Sequence, residues 1–312
     1  MRLARYNIIT EPVSCARTGV VLPNGFIADL RAGVAKFLLE KQGDVQGREI
    51  AALRVPADIR QILHVGAPAL DLIRKATEWL SALHTSTPDA RGPDGEVLFV
   101  PGAEARLHNP VKPWRILAVH DNTPRAGLET SPKVRSLPAA AIMGPVRDLN
   151  VTAKDARVLY ATGLAAVMGR NAHGIGEQEA AAAIAGYTVA NIVVETGAPV
   201  MGDLGGATRL TRCIIGPHLV MAGSVDPGSL AMETRVNGVC VQSGTTAELA
   251  WSFPKLIARL SRNGLEAGDV IVTGLLSDAQ PAGVNGRPLL APGDVLESEI
   301  ERVGVMRNRV VA

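Results

Sequence analysis

AGYTVANIVV, residues 185–194, is the stretch from which the fold is read. Gly186 closes a helix, and 189–194 follows as an apolar β run holding one polar residue, Asn191. A polar side chain inside an apolar strand needs a partner, so Asn191 either lines a pocket or ties down a loop. The preceding helix covers 176–185, with Glu177 and Glu179 at its electropositive N-terminus. Working outward, β runs separated by turn signals occur at 116–119, 164–168, 212–220, 231–236, 239–242, 269–273 and 295–300, and a helical pattern at 246–260. Strands far outnumber helices. The pattern predicts an α+β chain, mainly β, rather than a doubly wound parallel sheet.

The first residues read as a small αβ unit. Strands are expected at 2–9, 19–22 and 26–30, with a turn at Pro23-Asn24-Gly25, and helices at 32–40 and 70–83. Composition then shifts to STPDARGPDGE and a run of prolines. We read 1–85 as a small N-terminal domain, 86–112 as a linker with one short strand at 97–100, and 113–312 as the larger domain.

The chain has 312 residues, 47% hydrophobic and 20% charged, which is globular composition and excludes wholesale disorder. Thirty-two basic residues nearly balance 30 acidic ones, which argues against a nucleic-acid surface. Aromatics are only 3%, too few for stacking platforms. Cys15, Cys213 and Cys240 are odd in number, widely spaced and free of any CxxC, so neither a disulfide framework nor structural zinc is expected. The longest mostly apolar stretch, 180–194, is too short and polar to span a bilayer, and no apolar leader is seen at the start; a cytoplasmic protein without membrane contact is expected.

Phosphate-loop, dinucleotide, HExxH and GxSxG motifs do not occur. None of the six histidines pairs with another at i+2, i+3 or i+4, so no local metal face exists. The sequence HDN, His120-Asp121-Asn122, is different: three polar residues end the apolar run 116–119. Function-bearing groups often sit where a strand ends. A plain turn capped by Asp121 and Asn122 is the alternative.

Beyond these signals, AGYTVAN (185–191), IIGPHLV (214–220), VNGVCVQSGTT (236–246), LIARLSRNGLEAGDVIVTG (256–274) and LAPGDVLESEIERVGVMRNRVV (290–311) resemble, in order and spacing, the fumarylacetoacetate hydrolase superfamily. The resemblance implies a flattened β-barrel-like roll with a small N-terminal αβ domain, usually a homodimer. It also implies a small-molecule substrate: members hydrolyse, tautomerise, hydrate or decarboxylate 2-oxo acids and 1,3-dicarbonyls, commonly with Mg²⁺ or Mn²⁺.

The chain departs from the family pattern at the site. Ala161 and Gly163 stand where members carry a Glu-x-Glu pair, and Ile192 stands at the metal-binding Asp. The family lysine falls near Ala207, its mobile histidine near Ala126, and its threonine after TG is Leu275. Asn191, Gln242, Thr245, Thr246, Thr273 and Gly274 remain recognisable. A hard cation wants several carboxylate oxygens, which these positions do not offer. The expectation is therefore no metal and no cofactor. Mg²⁺ or Mn²⁺ would need relocated ligands from Asp148, Asp155, Glu195 or Asp203, with Glu195 the first candidate. An Ile192-to-Glu195 spacing of three puts Glu195 on the opposite strand face unless a bulge turns it back.

Three functions compete. The first is a metal-independent tautomerase, hydratase or decarboxylase working through an enol(ate). His120 and Arg209 would be its catalytic groups, with Asn122, Arg125, Asn191, Thr246, Thr273 and Gly274 binding substrate and Arg212 facing the same pocket. The second is a non-catalytic homologue, a partner subunit or binder. The third is a metal-dependent C–C hydrolase with relocated ligands.

Overall fold

A computed structural model describes residues 1–120, 122, 133–151, 157–196, 209–274 and 289–312. The strands are β1 (Arg2–Ile8), β2 (Arg17–Val21), β3 (Phe26–Asp29), β4 (Phe99–Pro101), β5 (Ala105–His108), β6 (Arg115–His120), β7 (Lys133–Pro138), β8 (Ile142–Met143), β9 (Leu149–Asn150), β10 (Arg157–Met168), β11 (Ile184–Thr196), β12 (Arg209–Met221), β13 (Ala231–Val236), β14 (Val239–Thr245), β15 (Val270–Gly274), β16 (Val295–Ile300) and β17 (Gly304–Val311). The α-helices are α1 (Leu30–Lys36), α2 (Gly47–Arg54), α3 (Ile59–Val65), α4 (Ala67–Ser86), α5 (Glu177–Ala182) and α6 (Phe253–Leu260). The fold is mixed α+β and mainly β.

A 12-stranded sheet runs β4-β3-β2-β1-β12-β11-β10-β15-β6-β7, with β5 on β1 and β8 on β12; a 5-stranded sheet runs β14-β13-β16-β17-β9. Most pairings are antiparallel, and β15–β6 is parallel. β7 passes through Pro138 and a short 3-10 turn straight into β8, which pairs with β12 (Cys213 opposite Ile142). The large sheet therefore bends round until its far edge returns to β12, giving the roll.

Strict alternation builds two cores from this sheet. One face of β10, β11, β12, β15 and β6 presents Ala165, Val167, Ala190, Ile192, Cys213, Ile215, Val272 and Ala118 to a core shared with Leu30, Val34, Ile62 and Leu80 of the helices. The other presents Leu164, Ala166, Val189, Val193, Ile214 and Ile271 to Met232, Leu296, Ile300 and Met306 of the second sheet and Ile257 of α6. Arg60 of α3 stacks over Trp114, 4.7 Å from the ring centroid, which puts α3 beside the start of β6. The ends of β6 and β15 at His120 and Gly274 are at the opposite end.

Several expected elements are longer or differently bounded. The 86–112 stretch, read as a linker, carries β4 and β5, which pair with β3 and β1. Its prolines and glycines mark turns between strands. The helical pattern at 246–260 splits, since Pro254 sits in the first turn of α6 and fixes its start at Phe253. The helix expected at 32–40 starts at Leu30, where the Asp29 side chain caps it by accepting from the Ala32 N–H at 3.0 Å.

Candidate active site

Register assembles the candidate site at the mouth of the roll. Gly163 of β10 lies opposite Gly274 of β15 and Ala190 of β11. Ile116 and Ala118 of β6 lie opposite Val270 and Val272. Two more residues in that register set His120 level with Gly274. Across the other edge of β6, His120 faces Lys133 and Ala118 faces Arg135. Alternation puts His120, Lys133 and Arg135 on the face that carries Ala161, Gly163 and Ile192. His120 is half-buried; Lys133 and Arg135 are exposed, and Arg135 forms no ion pair among the described residues.

The backbones meet closely here. A Cβ built on Gly163 would lie 2.9 Å from the Thr273 carbonyl oxygen, and one on Gly274 (φ +151°) 2.8 Å from Gly163 Cα. The next row, Ala161–Ile192–Cys213–Ile142, is apolar throughout. Complete burial raises the Cys213 thiol well above the usual range, so it stays protonated.

The polar residues expected at the site have partners inside the protein. Asn122 is fully buried. Its Nδ2 donates to the Trp251 carbonyl (2.9 Å) and Thr273 Oγ1 (3.0 Å), and its Oδ1 accepts from the Trp251 N–H (2.8 Å). Asn122 thus pins the segment before α6 to the end of β15. Thr246 Oγ1 accepts from the Leu230 N–H at 2.8 Å. Asn191 alternates with Ile192 and faces the second sheet, where Nδ2 donates to Ser298 Oγ at 2.5 Å and Oδ1 has no hydrogen-bond partner among the described residues. Beside it, Thr162 and Thr234 share a 2.6 Å hydrogen bond, and Thr234 reaches Gln242 Oε1 at 3.2 Å. These side chains stitch the two sheets together.

Arg209 opens β12, and Arg125 lies outside the described residues, as do Asp121, Ala126, Ala207 and Leu275. His120 therefore shares its face with Lys133 and Arg135, which the sequence reading did not single out. KVRSLP offers little apolar alternation, and only the pairing of β7 with β6 exposes their position.

The described residues around Ala161, Gly163 and Ile192 do not fit a hard divalent cation. Their side chains carry no oxygen, and Gly163 has no space for one. No group of three His, Cys, Asp or Glu side chains able to hold a metal occurs among the described residues. β11 runs straight to Thr196, so Glu195 points away from the Ile192 face. There it is fully buried, 3.2 Å from Arg212 Nη1. Asp148 is exposed and lines a cavity together with Ile142 and Arg212, and Asp155 and Asp203 lie outside the described residues.

This fold and mouth define a class, and comparison with known proteins agrees. Residues 106–311 match the family described as fumarylacetoacetate (FAA) hydrolase C-terminal. The chain belongs to the fumarylacetoacetate hydrolase family. It is 30% identical over 272 residues to human oxaloacetate tautomerase FAHD2A, mitochondrial, covering 82% of this chain and 81% of that protein. Among solved structures it is similar to fumarylacetoacetate hydrolase from Exiguobacterium antarcticum (TM-score 0.71, 22% identity, 100% and 99% coverage). It is also similar to maleylpyruvate hydrolase from Sphingobium sp. SYK-6, solved with manganese(II) and pyruvate (TM-score 0.64, 24% identity, 100% and 99% coverage). No described helix is long and apolar enough to cross a membrane.

Proposed function

We propose that the protein is an enzyme of keto–enol chemistry on a small 2-oxo acid or 1,3-dicarbonyl, working without a metal. The observation that carries this is the grouping of His120, Lys133 and Arg135 on the face where Ala161, Gly163 and Ile192 offer no metal ligand. The names of relatives, oxaloacetate tautomerase and maleylpyruvate hydrolase, support the substrate class. In this reading neutral His120 takes the proton from the carbon beside the ketone, the electron pair moves onto the carbonyl oxygen, and the same imidazolium returns a proton to that oxygen. Lys133 and Arg135, with Arg209 and Arg125 from the neighbouring segments, stabilise the oxyanion and substrate carboxylate. Asn122, Thr246, Thr273 and Asn191 act by holding the strands and segments around the mouth, and Gly274 by letting β15 approach β10. Tautomerisation, dehydration and decarboxylation fit this set better than C–C hydrolysis, which needs an activated water as well.

The test is oxaloacetate enol–keto exchange followed by NMR with and without chelator. Acceleration that survives chelation is expected. Activity abolished by chelator and restored by Mn²⁺ overturns the metal-free reading. The apolar row Ala161–Ile192–Cys213–Ile142 favours a second reading, a non-catalytic partner subunit or binder, which follows if no oxo acid turns over. A homodimer belongs to either reading. β14 is an edge strand without a single charged residue, and Val239 on it is exposed, which leaves that edge suited to a second copy; light scattering checks it.

A further inference from the structure

A cavity of about 360 Å³ opens between α2, α4 and the end of α1. Its lining comes only from residues between 38 and 75, outside residues 106–311 that match the family, and includes no residue of the mouth. At this point α1 runs on into one π-helical turn, Phe37–Lys41, closed by the Gln42 N–H on the Phe37 carbonyl at 3.2 Å. Such turns are rare and recur at functional sites. Gly47 starts α2 hard against the turn: a Cβ there would lie 2.8 Å from Leu38 Cβ. The floor is apolar, with Leu38 and Leu72 buried and Ile50 half-buried. Leu53, three residues after Ile50 on the same face of α2, is 76% exposed, and Val45, beside the lining residue Asp44, is 86% exposed. Apolar side chains left in water around an apolar cavity mark surface that gains from being covered. Charge at the rim is lopsided. Arg54 of α2 and Lys75 of α4 are exposed and form no ion pair among the described residues. Of the two acids on the rim, Asp71 is paired with Arg74 Nη2 at 2.9 Å, and only Asp44 lacks a cation; its Oδ1 accepts from the Gln46 N–H at 3.0 Å.

We propose that this cavity binds a single-chain amphiphile with an anionic head, its hydrocarbon chain on Leu38, Ile50 and Leu72 and its head between Arg54 and Lys75. The apolar floor takes the chain, and the stems of the two cations extend that floor while their charged ends stay in water. A guanidinium and an ammonium at the rim suit a carboxylate or phosphate head. The volume is that of a small-ligand site. Two sources share this chemistry, a fatty acid and an alkyl phosphate.

Isothermal titration calorimetry with decanoate, decyl phosphate and decanol tests the site. One or both anions should bind, and the tighter of the two identifies the source. Decanol, with the same chain and no charge, should bind roughly tenfold more weakly or worse. The eight-carbon homologue of the tighter anion should also lose roughly tenfold, since it buries two fewer CH₂ groups. The double variant Arg54→Ala/Lys75→Ala changes only exposed side chains and should weaken the anion to the level of decanol. His120→Ala should leave binding unchanged. Binding of neither anion, equal binding of decanol or of the eight-carbon homologue, or an affinity that the double variant spares overturns the proposal. Binding lost in His120→Ala and kept in the double variant assigns the amphiphile to the mouth and overturns it too.

Discussion

Gly163 and Gly274 face each other across β10 and β15 so closely that a Cβ on Gly274 would sit 2.8 Å from the Gly163 Cα. A ligand-bearing side chain at 163 has to push against the Thr273 carbonyl, which is strand backbone and cannot swing aside. Gly163→Glu should therefore destabilise the protein by about 1–3 kcal/mol, as overpacking does. Adding Ala161→Glu and Ile192→Asp should not create a tight Mn²⁺ site. Thermal denaturation and Mn²⁺ titration by electron paramagnetic resonance check both. A triple variant with unchanged melting and stoichiometric Mn²⁺ would show that the strands part easily.

Asn122 makes three side-chain hydrogen bonds at full burial, two to Trp251 and one to Thr273. Asn122→Ala leaves the Trp251 N–H and C=O without these partners. A loss of about 2–4 kcal/mol follows from unsatisfied buried groups. Asn122→Asp keeps the acceptor and loses the donor, so it should fall in between. Urea denaturation measures this. Unaltered stability with lost substrate binding would return Asn122 to direct substrate contact.

His218 gives the protein an acid-sensitive margin. Burial, then Arg2, lowers its pKa from 6.5 to about 4. Between those values the unfolded chain binds a proton that the folded chain refuses. Stability is full above pH 6.5, declines as pH falls and levels off below about 4, with a total of at most about 3 kcal/mol. In His218→Leu this part of the pH dependence should disappear. Denaturation midpoints at pH 7, 5.5 and 4.5 for both proteins read it out; parallel curves would remove His218 as the cause.

The legibility of the sequence follows how local each signal is. The strands 231–236 and 295–300 were readable to the residue because alternation and turn residues bound them on both sides. β7, β8 and β9 carry no such signal, since they are short or exposed and owe their existence to pairing with β6, β12 and β17. At the site, the loss of oxygen ligands at Ala161, Gly163 and Ile192 is plain in the residues. That Asn191 faces the other sheet follows from alternation with Ile192, but its partner Ser298 lies 107 residues away. Arg135 could not be found without β7.

His120 and Arg135 make separable contributions if the mouth is catalytic. They lie on adjacent strands, two residue pairs apart in register and so on one face. His120 moves the proton, so His120→Ala should lower kcat by roughly 10²- to 10⁴-fold, the usual contribution of a general acid or base, with little change in KM. Arg135 carries charge toward the substrate carboxylate and is exposed, so Arg135→Ala should raise KM more than it lowers kcat, and added salt should weaken wild type toward the variant. Neither side chain is fully buried, so melting temperatures should stay within a few degrees of wild type. Steady-state kinetics on oxaloacetate at two ionic strengths decides between outcomes. Full activity in His120→Ala would remove the imidazole from the chemistry, and an unchanged KM in Arg135→Ala would move carboxylate recognition to Arg209 or Arg125.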